Sequence, residues 1–184
     1  MSQRQRPCAV LFGTQSLAVA GAAALHETAS LTAQVAALKR AGVDQIALVI
    51  SAGTKSAATR LKDVRIVLHS GAWNSAFDEI VLGLFALERA PVLLLPADYE
   101  TLSDETLAVI MAEANEETAS HALVPFRDGR SSFPVVLFKA GVEAAIREAA
   151  RPHGIHRLES LIDSWRDGVR TLAVARQQAF GAQA

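Results

Sequence analysis

Two hydrophobic periodicities alternate along the chain. Short apolar or β-branched runs occur at CAVLF (8–12), QIALVIS (45–51), VRIVLHS (64–70), PVLLLPA (91–97), HALVPF (121–126) and PVVLF (134–138), each running into Gly, Ser, Pro or charge. They predict strands, the fourth being the most deeply buried because no polar side chain interrupts it. Between them apolar residues recur at helical spacing: Leu31, Val35 and Leu38; then Phe77, Val81, Leu84 and Phe85; then Leu107, Ile110, Met111 and Ala114. Residues 140–166 predict two further helices separated at RPHG, and VRTLAVA (169–175) predicts a last edge strand. Strands alternating with helices of this length predict an α/β protein, a three-layer α/β/α sandwich around a mostly parallel sheet.

With 184 residues, 51% of them hydrophobic and 20% charged, the chain can bury a sizeable core, and no linker, repeat or low-complexity block divides it. A single domain over 1–184 is the expectation. Eighteen Lys and Arg against nineteen Asp and Glu leave a formal charge of -1, so bulk charge points to neither a nucleic acid nor an anionic membrane. No stretch has the hydrophobicity of a membrane span or the leucine density of a signal segment. Cys8 is the sole cysteine, which excludes a disulfide framework or thiolate zinc site and suggests a cytoplasmic setting.

Candidate chemistry gathers where the predicted strands end. VLLLPADYE (92–100) is an apolar run that ends by presenting Asp98. Ser103, followed by Asp104 and Glu105, suits a helix start, which places Asp98 in the loop between a buried strand and a capped helix. Such loops at the carboxyl ends of strands hold ligands in α/β proteins, although a loop aspartate is also an ordinary turn former. After the first strand, Gly13 could aim backbone amides at an anion. The segment FGTQSLAVAGAAALHE is nonetheless neither GxGxxG nor GxxxxGK[ST], and no Lys or Arg occurs between Arg6 and Lys39.

Other candidates are weaker. His153 and His156 have a ligand-like spacing without an acidic or thiolate neighbour, and Trp73 could stack on a base or close the sheet edge. Cys8 has no adjacent base to activate it.

The first strand with its glycine loop, LKRAGVDQIALVIS, the long segment GAWNSAFDEIVLGLFALERAPVLLLPADYETLSDETLAVIM, and ALVPFRDGRSSFPVVLFKAG together resemble the nucleotidyltransferases that finish the molybdenum cofactor, the MobA-like NTP transferases. The resemblance spans roughly residues 8–174 and implies a Rossmann-like nucleotidyltransferase fold. It also implies transfer of a GTP or CTP nucleotide to molybdopterin with Mg²⁺. Asp98 matches the family's metal-binding aspartate, with Glu100 at the position of a following proline. Gly13, Thr14 and Ser16 match the loop that cradles the nucleotide.

The signature loop departs from the family where it carries charge. Ala18 stands at the arginine position and Ala23 at the lysine position, each loss removing charge-assisted hydrogen bonds worth about 1.5–3 kcal/mol. No acidic residue follows Asp167, so the usual second carboxylate is missing. Ser132 and Phe133 replace a glycine-histidine pair on the acceptor side. Asp78 and Glu79 stand where the family has serines; facing the cleft they would repel phosphate, whereas on the outer helix face they would be inert. Lys55, Arg60 and Lys62 are the substitute cations available. These departures favour a degenerate, non-catalytic relative that binds a ligand or a protein partner. The alternative is an active Mg²⁺-dependent enzyme using GTP or CTP and a phosphorylated small molecule.

Overall fold

The computed structural model describes residues 6–13, 22–51, 61–69, 75–87, 90–99, 102–116, 119–127 and 130–174. In chain order these form β1 (Cys8–Phe12), α1 (Ala22–Arg40), β2 (Ile46–Ser51), β3 (Arg65–His69), α2 (Ala76–Leu87), β4 (Val92–Pro96), α3 (Asp104–Ala114), β5 (Ala122–Arg127), β6 (Arg130–Ser131), β7 (Val135–Leu137), α4 (Lys139–Ala149), α5 (Leu158–Ser164) and β8 (Val169–Ala173). The sheet order is β3-β2-β1-β4-β7-β5-β6, with β8 paired to β5. Strands β1 to β4, β5 and β8 share one direction, and β6 and β7 run against it. The expected α/β/α sandwich with a mostly parallel sheet is therefore present, and β8 is the expected last strand.

Alternation along the central strands divides the core in two. Ala9, Leu11, Leu48, Leu93 and Leu95 face α1 and α3, where they meet the predicted stripes of Leu31, Val35 and Leu38 and of Leu107, Ile110 and Met111. Cys8, Val10, Phe12, Val49 and Leu94 face α2, α4 and α5. Both strands at the sheet centre carry side chains with no water on either face, which is why their sequences are apolar without interruption. In β1 every residue is buried, whereas β4 is buried over Val92–Leu95 and half-buried at Pro96. The first strand thus equals or exceeds the fourth in burial, because the two lie side by side at the sheet centre.

Helix α2 lies unusually close to β1. A Cβ added at Gly83 would stand 2.4 Å from Val10 Cγ1, so only glycine permits this approach. Glu79, one turn earlier on the same helix face, is carried with it toward the end of β1.

Helix α3 begins as its sequence predicts. The Ser103 hydroxyl accepts from the Thr106 N–H at 3.2 Å, and Asp104 and Glu105 occupy the first turn. Across the helix layer Arg40 Nη2 donates to Asp104 Oδ1 at 2.9 Å, tying the end of α1 to the start of α3. Among the described residues, no helix is long and apolar enough to cross a membrane.

Candidate functional site

Two neighbouring strands bring the candidate residues to one edge. Phe12 at the end of β1 is in register with Pro96 at the end of β4, and Ala97 N–H donates to Phe12 O at 2.7 Å. Beyond that last bond the chain leaves each strand, at Gly13 on one side and at Asp98 on the other. Gly13 has φ +77, a left-handed conformation that favours glycine, with open space where a Cβ would be. Asp98 sits exposed in the turn after β4. Parallel pairing of β1 with β4 is what unites them.

The Asp98 turn is anchored from below by α1. Gln34, only 2% exposed, donates from Nε2 to Tyr99 O and, more weakly at 3.4 Å, to Pro96 O. Its Oε1 is buried and has no hydrogen-bond partner among the described residues. Sequence reading missed this residue, although a signal was there: Leu31, Gln34, Val35 and Leu38 share one buried stripe, and a glutamine inside such a stripe must answer to buried polar groups.

A row of aromatic rings closes the same end of the sheet. Phe133 stands edge-on to Phe12, with centroids 5.9 Å apart, and edge-on to Tyr99 at 6.0 Å. Tyr99 Oη and Ser132 Oγ are hydrogen-bonded at 2.8 Å. The loop that replaces glycine-histidine thus supplies a polar group, but that hydroxyl is engaged with Tyr99.

The paired acids of α2 divide between two roles. Asp78 is half-buried; its Oδ2 accepts from Ser75 Oγ at 2.8 Å, and its N–H donates to the same hydroxyl. Glu79 is only 2% exposed, and its Oε2 accepts the Gly13 N–H at 2.5 Å. Its other oxygen stands 3.6 Å from Nε2 of His69, itself buried at the end of β3. Of the two orientations left open by periodicity, Glu79 takes the inward one. The first loop amide is consequently held by an internal carboxylate.

Thr14, Ser16, Ala18, Lys55, Arg60, Trp73 and Glu100 lie outside the described residues, as do the side chains of Ala23 and His26. Lys62, His153 and His156 are exposed, and Cys8 is buried in β1. Among the described residues no three His, Cys, Asp or Glu side chains converge as a metal cage.

A mostly parallel sheet with helices on both faces is the architecture of Rossmann-like α/β proteins. The MobA-like NTP transferase domain model matches residues 21–169, and the chain belongs to that family. No curated protein sequence matches the chain. Among solved structures, Rv0371c from Mycobacterium tuberculosis H37Rv is 20% identical, with 94% of this chain and 90% of that one covered at a TM-score of 0.70. The same protein in complex with manganese matches at a TM-score of 0.68, again 20% identical, with 95% and 90% covered. A nucleotidyl transferase from Methanothermobacter, Mth528, is 18% identical over 94% of this chain and 87% of its own, with a TM-score of 0.65. At these identities the likeness is one of fold.

Proposed function

We propose that the protein is a divalent-metal-dependent nucleotidyltransferase that joins a nucleotide from GTP or CTP to molybdopterin or another phosphorylated acceptor. The observation that carries this reading is the exposed Asp98 carboxylate at the carboxyl end of β4, in register with the strand that ends at Gly13. A hard carboxylate oxygen suits Mg²⁺, which is commonly bound through one or two carboxylates, with waters and substrate phosphates completing its shell. When bound, the ion would neutralise charge on the phosphates. Gln34 would hold the Asp98 turn in place, and Gly13, Thr14 and Ser16 would face the nucleotide. In the reaction an acceptor phosphate oxygen bonds to the α-phosphorus, the bond from that phosphorus to the bridging oxygen breaks, and pyrophosphate leaves. The family match and the manganese complex of a protein with this fold support the reading. It places the work in the cytoplasm, within a single domain.

A second reading is favoured by Glu79. Its carboxylate already takes the Gly13 amide, and Ala18 and Ala23 stand where the family has cations, which suits a non-catalytic relative that binds a ligand or protein partner. Pyrophosphate release with GTP or CTP, molybdopterin and Mg²⁺ or Mn²⁺ separates the two. Turnover that falls at least about 100-fold in Asp98→Ala is the expected result. Release that is absent, or indifferent to that substitution, overturns the enzymatic reading.

A further inference from the structure

The Gly13 N–H is the amide at which β1 gives way to the loop expected to face a nucleotide, and an internal anion already holds it. Glu79 Oε2 accepts it at 2.5 Å, a charge-assisted bond. A backbone amide carries one proton, so this carboxylate and a phosphate oxygen compete for it, and two anions drawn to one donor repel each other. Glu79 thus occupies the position of a ligand phosphate. Asp78, the adjacent acid, takes no part, because its carboxylate is tied to the Ser75 hydroxyl.

The packing restricts where the carboxylate can go. Gly83 lets α2 lie against Val10, and Glu79 is buried on the same face of that helix, so neither a retreat of the helix nor solvent draws the acid away from β1. Release from Gly13 without another partner would strand a buried charge. One partner stands within reach: His69 Nε2, buried at the end of β3, lies 3.6 Å from Glu79 Oε1. That separation is too long for a hydrogen bond, and a small rotation of the carboxylate closes it. The imidazole donates there in its Nε2–H tautomer or when charged. Glu79 therefore has two stations, the Gly13 amide and the His69 ring, and in this structure it holds the first. We propose that Glu79 is an intramolecular latch on the nucleotide loop, whose carboxylate competes with the phosphate chain for Gly13 N–H and turns to His69 when a triphosphate takes that amide. The latch rests on the reading above, in which Gly13 faces the nucleotide.

The test omits the metal, so that neither Asp98 nor turnover enters. GTP, CTP and inorganic triphosphate are titrated separately into ¹⁵N-labelled protein, and the Gly13 amide is followed by NMR. In the native protein a bound triphosphate should give a scalar correlation between the Gly13 amide proton and a ligand ³¹P nucleus, with a simultaneous shift of the His69 ring resonances. Glu79→Gln keeps the side-chain shape and removes the charge. It should bind the triphosphates about three- to tenfold more tightly, the difference between a charged and a neutral competitor for one amide, and change GMP and CMP less. A structural role alone would loosen the fold and tighten no ligand. If Glu79→Gln does not fold, the native correlation decides. A Gly13 proton that keeps its position with triphosphate bound, equal or lower affinity in Glu79→Gln, or no binding of any of the three to either protein overturns the latch. Turnover with Gly13 still held by Glu79 would refute the latch and leave the transferase reading intact, whereas a latch that opens without pyrophosphate release would do the reverse.

Discussion

Asp98 and Glu79 are carboxylates at the same end of one sheet in opposite surroundings. Asp98 projects from a turn into water and makes no hydrogen bond or ion pair among the described residues. Glu79 is sealed against the end of β1, bonded to the Gly13 amide and close to His69. Nearness to the carboxyl ends of the strands therefore does not make a carboxylate a ligand site. An exposed acid retains its capacity to bind an incoming cation, whereas a buried acid is occupied by the groups that made its burial tolerable. Glu79 therefore belongs to the architecture of the loop, whereas Asp98 is the carboxylate left open for the metal proposed above.

Stability should separate the two most sharply. Replacing Glu79 by Leu removes the acceptor from Gly13 N–H and the carboxylate facing His69, and should cost about 2–4 kcal/mol in urea unfolding. Asp98→Ala, at an exposed turn, should stay within about 0.5 kcal/mol. Similar losses for both variants would erase the distinction. A smaller effect should come from the residue that supports the Asp98 turn. Gln34→Met nearly conserves volume, removes the donor to Tyr99 O and Pro96 O, and also removes the unpartnered Oε1, so the net cost should be about 1 kcal/mol. Mn²⁺ titration followed by paramagnetic broadening should show weaker binding in that variant if the turn presents Asp98 to the metal, and unchanged binding would remove Gln34 from the site.

The smallest expected effect lies away from both acids and serves as their baseline. Asp104 is held below the usual carboxylate range, first by its hydrogen bond from Arg40 and also by the attraction of that charge. A depressed native value means that the pair's contribution is present above the unfolded carboxylate value and is lost as pH falls through the native one. Both side chains face water, so screening keeps this slight. Asp104→Asn should leave Tm at neutral pH nearly unchanged and flatten only a shallow slope on the acid side of the unfolded value. A marked loss at neutral pH would show that the α1 to α3 tie matters more than an exposed pair should.

Local pattern along the chain encodes the elements and the turn that carries Asp98. The run at 8–12 was legible as a strand, and the run at 92–96 as one covered on both faces, because only such a strand tolerates uninterrupted apolar residues. The stripe of Leu107, Ile110, Met111 and Ala114, preceded by Ser103, had to be a capped helix. Asp98 was legible for the same reason, lying one residue past a turn between two recognisable elements. Tertiary structure alone decided the rest. The inward turn of Glu79 depends on Gly83 letting α2 approach Val10, and its bond to Gly13 joins residues from distant parts of the chain. The anchoring of Tyr99 by Gln34, and the meeting of Phe12, Tyr99 and Phe133 at one end of the sheet, likewise depend on which strands became neighbours. Periodicity tells which face of an element is buried, but the partner waiting on that face is chosen by the packing of the whole sheet.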